Sequence, residues 1–523
     1  MIAKALKYYH TIKHLKWIQI RYQLRNRFLR SNHKNKRLGN NKYLEIHPLI
    51  LIDSIVSPDS FRGENCFQFL NVEHKFSDNI DWNYSINGKL WTYNLNYFEF
   101  LTQQDITKKQ GLYLIHDFIA NLEYIKDGME SFPISLRIIF WIKFLIKHDI
   151  SDSEIDQSLY NQIYKLSRCP EYHLMGNHLL ENGFGLLFGG SYFKDEKILS
   201  QANKILQEQL EEQILADGGH FELSPMYHQI MLYRMLDSIN LIQQNPGLDL
   251  GRLLKMLISK AELMLGWLCN MTMLNGSVPM FNDSTNGIAP TPDQLHAYAD
   301  RLGVNSHIVP LGESGYRKMT NSDYELILDV GQIGPDYIPG HAHSDTFNFI
   351  YHHNETPIII DTGISTYEKN EIRTYQRSTA AHNTVMLNGM EQSEVWGGFR
   401  VARRATVKDL IENKTTFSAA HNGYQKINAT HHRSFTCGDD RVEIKDTITQ
   451  GILAEAFLHF HPDIEVSLID QELHGKFGKI TFDNMIKIKL EQVEIALGFN
   501  KTISTNKAII TFKETLQTQI VSK

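Results

Sequence analysis

The spacing of apolar residues divides the chain into two differently patterned halves. From about Lys89 to Leu311, apolar residues recur every three or four positions, as on one face of an α-helix. After about Gly315 the chain changes to short apolar runs separated by Gly, Asn, Asp and Pro, and the segments 479–490 and 508–513 alternate as strands do. The pattern predicts a helical domain followed by an all-β domain, which we expect to be a sandwich.

The clearest helical stripes and strand-like runs can be read directly from the sequence. The stripes are Ala202, Ile205, Leu206, Leu210 and Ile214, then Met226, Ile230, Met231, Ile239 and Ile242, and then Leu253, Leu254, Leu257, Ile258, Ala261 and Leu265. The first predicted strands are 324–330, 346–351 and 356–360. A chain of 523 residues is too long for one core, so we divide it into an arm at 1–45, a helical domain at 46–312 and a β-domain at 313–523.

The N-terminal arm is strongly basic. No acidic residue precedes Glu45, and Lys and Arg alternate with Ile, Leu and Phe in a loosely helical pattern. Such a segment suits an amphipathic helix on an anionic membrane surface or a helical arm packed on the main domain. We prefer the packed arm and keep peripheral membrane contact as the alternative.

Composition narrows the class of protein. Hydrophobic residues make up 42% of the chain, charged residues 21%, and the net charge is −6, which is typical of a soluble globular protein and gives no indication of nucleic-acid binding. The four widely spaced cysteines contain no CxxC pair, so they predict neither a disulfide framework nor a thiolate zinc site. Without a secretory signal or a membrane-spanning run, we expect a cytoplasmic protein, with the periplasm left open.

Three residues of the second half could bind a metal ion. His343, Asp361 and His382 lie on separate strand-like segments that a sandwich can bring together. Two neutral imidazoles and one carboxylate form a suitable ligand set for Zn²⁺. The alternative is a pair of hydrogen-bonded core histidines with Asp361 in a turn.

Tyr227 is a candidate for proton transfer. Ser224 and Pro225 can cap and begin a helix, which places Tyr227 in the first turn, where the positive helix end lowers a phenol pKa modestly. The candidate helpers are His228, His178 and Arg234. The alternative is a packed tyrosine with a satisfied hydroxyl group.

Asn177 and His178 begin another apolar helix. They could donate hydrogen bonds to a substrate carboxylate, with Glu181 orienting His178 from the next turn of the helix. Alternatively, Asn177 is simply the residue that caps the helix.

His341 precedes His343 by two residues, so on a strand both side chains would lie on the same face. One would then contact the metal ion and the other a cleft. Tyr375 and Arg377 follow the same alternation, and Arg377 could bind an acidic sugar. The alternative for Arg377 is a surface or ion-paired arginine.

These motifs together resemble the heparinase II/III family of polysaccharide lyases, which is also similar to oligoalginate lyases. The matching blocks span roughly residues 90 to 405. They are Asn177-His178-Leu179-Leu180-Glu181-Asn182, Asp217-Gly218-Gly219-His220-Phe221-Glu222, Ser224-Pro225-Met226-Tyr227-His228, Gly340-His341-Ala342-His343-Ser344-Asp345, and 377–385, with 397–401 extending the match. Each block is modestly specific, but their order along the chain is strongly specific.

The resemblance implies an N-terminal (α/α) toroid followed by a C-terminal antiparallel β-sandwich, with the active site between them. It implies that Asn177 and His178 neutralise a uronate carboxylate, and that Tyr227 transfers protons with His341 as its partner. Zinc at His343, Asp361 and His382 would be structural. We expect Glu181, Tyr375 and Arg377 to contact the substrate, an acidic polysaccharide.

The chemistry expected from this resemblance is β-elimination. A base removes the C5 proton beside the uronate carboxylate, donors stabilise the developing charge, and an acid protonates the leaving oxygen on C4. One rival is a glycoside hydrolase, which needs two carboxylates, for which Asp217, Glu222 and Asp283 are available. Another rival is an inactive polysaccharide-binding or assembly protein. The polymer, the stereochemistry and the oligomeric state are left open.

Overall fold

The computed structural model describes residues 2–29 and 45–522. In chain order the helices are α1 (Ile2–Ile12), α2 (Trp17–Leu29), α3 (Lys89–Tyr97), α4 (Lys108–Asn121), α5 (Ser131–Lys147), α6 (Ser153–Arg168), α7 (Gly176–Tyr192), α8 (Glu196–Gln213), α9 (Pro225–Gln244), α10 (Gly251–Met271), α11 (Pro292–Arg301) and α12 (Glu371–Gln376). The strands are β1 (Phe61–Gly63), β2 (Cys66–Phe69), β3 (Val72–Lys75), β4 (Tyr316–Thr320), β5 (Tyr324–Asp329), β6 (Phe349–His353), β7 (Thr356–Ile359), β8 (Val385–Leu387), β9 (Val395–Trp396), β10 (Arg400–Val401), β11 (Val407–Glu412), β12 (Thr416–His421), β13 (His431–Cys437), β14 (Arg441–Ile448), β15 (Leu453–His459), β16 (Ser467–Ile469), β17 (Glu472–Gly475), β18 (Gly478–Gly498) and β19 (Lys501–Ser522).

The change from helices to strands falls between α11 and β4, as the apolar pattern predicts. Two elements differ from the prediction. The small antiparallel sheet β1–β3 lies in the domain assigned to 46–312, ahead of the helical pattern that begins at about Lys89, and was not predicted, because three or four residues per strand are too few to show a period. The segment 371–376 is helical, so the predicted strand alternation of Tyr375 and Arg377 is wrong.

The helical half is built around α7. Every residue of α7 from Gly176 to Tyr192 is buried except His178. The helix packs closely on α5, since a Cβ atom at Gly185 would lie 2.8 Å from the Cα of Ser135. Because α7 is buried on all sides, it forms the centre of this half, and only its N-terminal end, at His178, opens toward a surface.

The strand half consists of two packed antiparallel sheets and a separate short hairpin, β9–β10. One has the order β4-β5-β6-β7, and the other has the order β11-β12-β13-β14-β19-β18-β17-β16, with β15 pairing with β19 and β8. Apolar side chains from both sheets, such as Leu326, Phe349, Phe435 and Phe512, form one core. The predicted strands at 479–490 and 508–513 are parts of the long hairpin β18–β19.

The long hairpin also connects the two halves. At its tip, the backbone carbonyl of Phe499 accepts a hydrogen bond from Asn71 Nδ2 at 2.9 Å. Asn500 Nδ2 donates to the carbonyl of Leu70 at 3.0 Å. The turn between β2 and β3 is therefore attached to the sandwich by reciprocal amide bonds.

The arm helices α1 and α2 pack on the main body, as in our preferred interpretation of the basic segment; residues 30–44 of the predicted arm lie outside the described residues. The outward side of the two helices exposes several large apolar side chains, among them Tyr9 at 58%, Ile12 at 54% and Trp17 at 74%. Membrane contact by this exposed side stays a prediction. Within the described ranges, helix length and hydropathy together nowhere reach what a bilayer span requires.

A buried ion pair supports the loops between the sheets. Arg433 donates to both carboxylate oxygens of Asp446, at 2.7 and 3.0 Å, and to the carbonyls of Phe347 and Asn383 at 2.9 and 2.8 Å. Burial alone would raise the pKa of Asp446, but Arg433 and His431 outweigh burial and lower it to about 2. Arg433 thus fixes two loops that lie beside the segment around His382.

We expect Arg433→Met to lower the free energy of unfolding by about 3–5 kcal/mol, because Asp446 would stay buried without its cation. Urea denaturation of the full chain measures the change. The matched control is Arg441→Met, since the Arg441 side chain is 46% exposed and pairs with Asp440 at the surface, and we expect it to leave stability nearly unchanged. Equal losses in both variants would contradict the prediction.

Candidate functional site

Tyr227 and His341 meet between the two halves. Their ring centroids lie 4.0 Å apart with the planes inclined by 30°. Tyr227 lies in the first turn of α9, which begins at Pro225, as predicted. The Tyr227 backbone N–H donates to the Ser224 hydroxyl at 3.2 Å. His341 lies in the loop between β5 and β6, so the expectation that it sits on a strand is wrong. The expected convergence of the phenol and the imidazole is nevertheless present.

The tautomer of His341 is assigned by its carboxylate partner. His341 Nδ1 lies 2.8 Å from Asp283 Oδ2, and because a carboxylate can only accept, Nδ1 carries the proton. The lone pair is therefore on Nε2, which lies 3.5 Å from Asn177 Nδ2 and 3.7 Å from Glu222 Oε2. This nitrogen is able to accept a proton next to the Tyr227 ring.

Asp283 is the most heavily used carboxylate of the site. Besides His341, it accepts from His343 Nε2 at 2.9 Å and from both terminal nitrogens of Arg373. Burial would raise the pKa of Asp283, but the Arg373 cation and the three donors outweigh burial and hold it well below its usual range. Asp283 is thus a permanent anion that orients two histidines.

The surroundings of the Tyr227 hydroxyl differ from the prediction. Its oxygen lies 3.1 Å from that of Tyr367, whereas His228 bonds the carbonyl of Met264 and Arg234 pairs with Glu181. Burial raises the pKa of Tyr227 above its usual range, against the opposing effects of the Tyr367 hydrogen bond and Arg373. The expected lowering by the helix end is therefore overcome, and the resting phenol is protonated.

Asn177 is the second residue of α7, so the alternative reading of it as the helix cap is wrong. Met175 occupies the cap position, and Glu222 performs the capping, since its carboxylate accepts from the Asn177 backbone N–H at 2.9 Å and from Nδ2 at 2.7 Å. The second hydrogen of Nδ2 remains on the side of His341. The side-chain amide is thus aimed at the cleft by a buried carboxylate.

His178 is paired with a different carboxylate from the predicted one. Its Nδ1 lies 3.4 Å from Glu171 Oε1, and its ring packs on Phe132 with centroids 4.6 Å apart. Burial lowers the pKa of His178, but the Glu171 charge outweighs burial and raises it. Glu181 does not orient His178: it is fully buried beside Arg234 at 3.3 Å, and burial raises its pKa to about 7.

Arg377, which was expected to contact the substrate, is used elsewhere. Arg377 is 2% exposed and donates to the carbonyl of Ala342, at 3.2 and 2.7 Å, and to that of Gly398 at 2.8 Å. Arg377 therefore supports the backbone between His341 and His343 and does not offer a free guanidinium. The Tyr375 ring lies 5.7 Å from Lys507 Nζ of β19, and its hydroxyl has no hydrogen-bond partner among the described residues, so its contact with substrate stays a prediction.

The three predicted zinc ligands lie close together in the core. His343 and His382 have ring centroids 5.2 Å apart, and His382 Nδ1 lies 2.9 Å from Asp361 Oδ2. Burial lowers the pKa of His343 to about 3, so its imidazole is neutral. Its Nδ1 and the Nε2 of His382 have no hydrogen-bond partner among the described residues.

This donor chemistry fits Zn²⁺, because each histidine presents an unpartnered ring nitrogen and binds a carboxylate through the other one. Within residues 2–29 and 45–522, however, no three His, Cys, Asp or Glu side chains are already arranged around one point as metal ligands. The zinc site therefore stays a prediction.

Sequence reasoning missed several residues of the site. It considered Asp283 and Glu222 only as carboxylates of a hydrolase. It did not single out Tyr367, and it did not predict that Arg373 would pair with Asp283 or that Glu171 would pair with His178. A weak signal existed for Asp283, since four polar residues at 282–285 follow an apolar segment and precede α11. For the others, the contacts join segments far apart in sequence, so spacing carried no information.

Comparison with known proteins agrees with this architecture. The family model described as "Heparinase II/III N-terminus" matches residues 132–302, and "Heparinase II/III-like, C-terminal" matches residues 304–522. A heparin-sulfate lyase of Bacteroides stercoris is 25% identical over 250 residues, which are 43% of this chain and 37% of that protein. The chain thus spans little more than a third of the length of this curated relative.

Solved structures share the fold at low sequence identity. A crystal structure of heparinase III has a TM-score of 0.70 at 15% identity and covers 96% of this chain and 89% of its own. A heparan sulfate lyase from Pedobacter heparinus has a TM-score of 0.56 at 14% identity, with 88% and 81% covered. The likeness confirms the predicted (α/α) toroid and antiparallel β-sandwich. The two family models, which cover most of the chain, show that this protein belongs to the heparinase II/III family.

Proposed function

We propose that this protein is a polysaccharide lyase that cleaves a uronate-containing polysaccharide by β-elimination. The observation that carries the proposal is the contact between Tyr227 and His341, with the basic nitrogen of His341 exposed toward Asn177. A proton acceptor and a proton donor therefore lie side by side between the two halves, which is what removal of one proton and delivery of another require.

The protonation states favour a division of labour between the two groups. His341 Nε2 takes the C5 proton of the uronate, and the electron pair of the C–H bond enters the enolate-like carboxylate. That pair then forms the C4–C5 double bond while the C4–O bond breaks. Tyr227, whose raised pKa keeps it protonated, donates its proton to the departing oxygen. The products are an unsaturated uronate end and a new hydroxyl end.

Asn177 and His178 supply stabilisation of the enolate-like carboxylate. The Asn177 amide is held by Glu222, and the raised pKa of His178 favours an imidazolium. Both groups are pre-oriented donors at the N-terminal end of α7, where the helix dipole also favours negative charge. Their effect grows as charge moves onto the carboxylate, so they stabilise the transition state more than the bound substrate.

The contacts of the candidate carboxylates argue against a glycoside hydrolase. Such an enzyme needs one carboxylic acid with a raised pKa. Glu222 and Asp283 instead have lowered pKa values, because hydrogen bonds and cations outweigh burial. Asp217 accepts from the backbone of Gly312 and from Ser314, so it shapes a turn.

The arginines give a hint about the polymer. Of those that could recognise sulfate, Arg373 is occupied by Asp283, Arg377 by backbone carbonyls, and Arg404 by Asp336 at 3.0 Å. These three guanidinium groups are therefore not free to bind sulfate, whereas Arg400 is exposed and lies 4.8 Å from the Trp396 ring centroid.

We further propose that the enzyme acts in the cytoplasm. The support is the expectation from the sequence, in which we found no secretory signal.

We also propose that Zn²⁺ binds at His343, His382 and Asp361 and stabilises the loops that carry His341. The support is the pair of unpartnered, buried ring nitrogens described above. When bound, the ion would act structurally, by holding segments of the sandwich core together.

We expect Tyr227→Phe to lower turnover by about 10²–10⁴-fold while the protein stays folded, because only the proton donor is removed. The measurement is the ultraviolet absorbance of the unsaturated product over a panel of acidic polysaccharides. Tyr113→Phe, at an exposed tyrosine of α4, is the control and should retain full activity. Full activity of Tyr227→Phe, or new reducing ends without absorbance, would refute the assignment.

We expect Glu171→Gln to shift the alkaline limb of the pH profile of kcat/KM to lower pH. The Glu171 charge raises the pKa of His178, and the imidazolium is the active form, so removing the charge lets His178 lose its proton at lower pH. Glu154→Gln, at an exposed carboxylate of α6, should leave the limb in place. An unchanged limb in Glu171→Gln would exclude His178 as the titrating group.

We expect zinc to copurify in a ratio of about one ion per chain, and a chelator to lower the thermal midpoint. His382→Ala should remove the ion and lower the midpoint, whereas His474→Ala, at a half-exposed residue of β17, should do neither. Metal analysis and thermal denaturation provide the readouts. Metal-free protein of undiminished stability would contradict the zinc proposal.

A further inference from the structure

The described part of the arm, residues 2–29, lies outside both family matches, the first of which begins at residue 132. It nevertheless contacts three segments that lead into the site, two of which precede Asn177 and His341. The third is the hairpin β9–β10. The contacts are specific and in part buried, which distinguishes them from the loose packing of an accessory segment.

Gln19 of α2 makes the most informative contact. Its side chain is 2% exposed, and its Nε2 donates to the carbonyls of Leu174 at 3.2 Å and of Tyr337 at 3.5 Å. Leu174 lies three residues before Asn177 in the helical half, and Tyr337 lies four residues before His341 in the strand half. One buried amide therefore joins the two loops whose ends carry the uronate donor and the proton acceptor.

The backbone of Lys16, just before α2, holds Gln19 in this position. Its Oε1 accepts from the Lys16 backbone N–H at 2.9 Å, so all of the amide is used within the arm and the two loops. Lys16 Nζ pairs with Glu212 of α8 and lies 4.1 Å from the centroid of the Tyr337 ring. Lys16 of the arm therefore links the Tyr337 loop to α8 of the helical half.

The first arm helix contacts the hairpin β9–β10. Trp396 Nε1 donates to the Thr11 hydroxyl at 3.2 Å, and the Tyr8 ring packs edge-on at 5.1 Å from the Trp396 ring. Lys7 pairs with Glu394, just before the hairpin, at 3.2 Å.

The turn of the same hairpin reaches the site. Gly397 and Gly398 turn the chain with φ of 59° and 83°, in the region that glycine adopts without strain. Phe399 follows, with its ring 5.1 Å from that of Tyr367 and 6.2 Å from that of His341. The Gly398 carbonyl accepts a hydrogen bond from Arg373, the cation that pairs with Asp283. The hairpin is therefore held by the arm at one end and by the site at the other.

We propose that the arm is a positioning element of the active site, with Gln19 setting the distance between the Asn177 and His341 loops and α1 holding the hairpin against His341. This inference rests on the proposed lyase function. A displacement of about 1 Å between reacting groups can lower a rate about 10²-fold, so small movements of these loops are sufficient to affect turnover. A purely structural arm would change stability and leave the geometry of the folded site intact.

The test compares Gln19→Met with Gln23→Met in the full chain, because Gln23 lies on the exposed side of the same helix. Met preserves length but cannot donate to the two carbonyls. We expect kcat of Gln19→Met to fall at least about tenfold with KM changed less than about threefold, and its pH profile to change shape, since the loop bearing His341 moves relative to Asn177. Gln23→Met should match the unsubstituted protein.

Thr11→Val provides an independent variant in case Gln19→Met does not fold. It removes the acceptor of the Trp396 N–H at nearly constant shape, and we expect a smaller fall in kcat, about threefold, with the thermal midpoint nearly unchanged. Folded Gln19→Met and Thr11→Val proteins with normal kcat and pH profiles would overturn the inference.

Tyr227→Phe, assayed in parallel, separates the two possible failures. If it loses activity while Gln19→Met and Thr11→Val keep theirs, the lyase function stands and the positioning role of the arm is wrong. If Tyr227→Phe keeps full activity, the proposed catalytic pair is wrong, and the positioning role falls with it.

Discussion

The structure depends on one buried carboxylate, that of Asp283. It lies between α10 and α11 of the helical half, while His341, His343 and Arg373, which bind it, all come from the strand half. A buried anion without its partners is strongly destabilising, whereas the paired anion is tolerated. Docking of the two halves and orientation of His341 are therefore the same event: His341 has a defined tautomer only when the interface is formed.

The position of the cleft follows from the character of α7. The helix is buried along its whole length except at His178, so it has only one place where polar chemistry can reach the surface. Glu222 accepts from the backbone N–H of Asn177 and at the same time orients the Asn177 side-chain amide. The carboxylate that satisfies the N-terminal end of α7 therefore also positions the Asn177 amide, which is the donor in the proposed elimination.

The loops of the strand half that surround the site are held in place by buried cations. Arg377 supports the backbone between His341 and His343, and Arg433 supports the loops at Phe347 and Asn383. Each guanidinium donates to backbone carbonyls of segments distant in sequence, which suits its planar set of donors. The arm adds a third support from outside, through Gln19. Functional loops on a rigid scaffold commonly need such fixing.

Local physics was enough for the sequence to determine the outline of this protein. The apolar periods predicted the helical half and the strand half, and Ser224 with Pro225 predicted the helix that presents Tyr227, because capping and periodicity act over a few neighbouring residues. The pairing of Tyr227 with His341 followed from family resemblance and not from spacing.

Tertiary structure decided which partners each group has. Asp283, Glu171 and Tyr367 reach the site from distant segments, and Arg377 and Glu181, which looked available for substrate, are buried. The pKa of Tyr227 likewise rises because burial outweighs the helix end, and burial is a property of the assembled halves. Long-range contacts and desolvation leave no periodic trace in a sequence, so only the folded chain could reveal them.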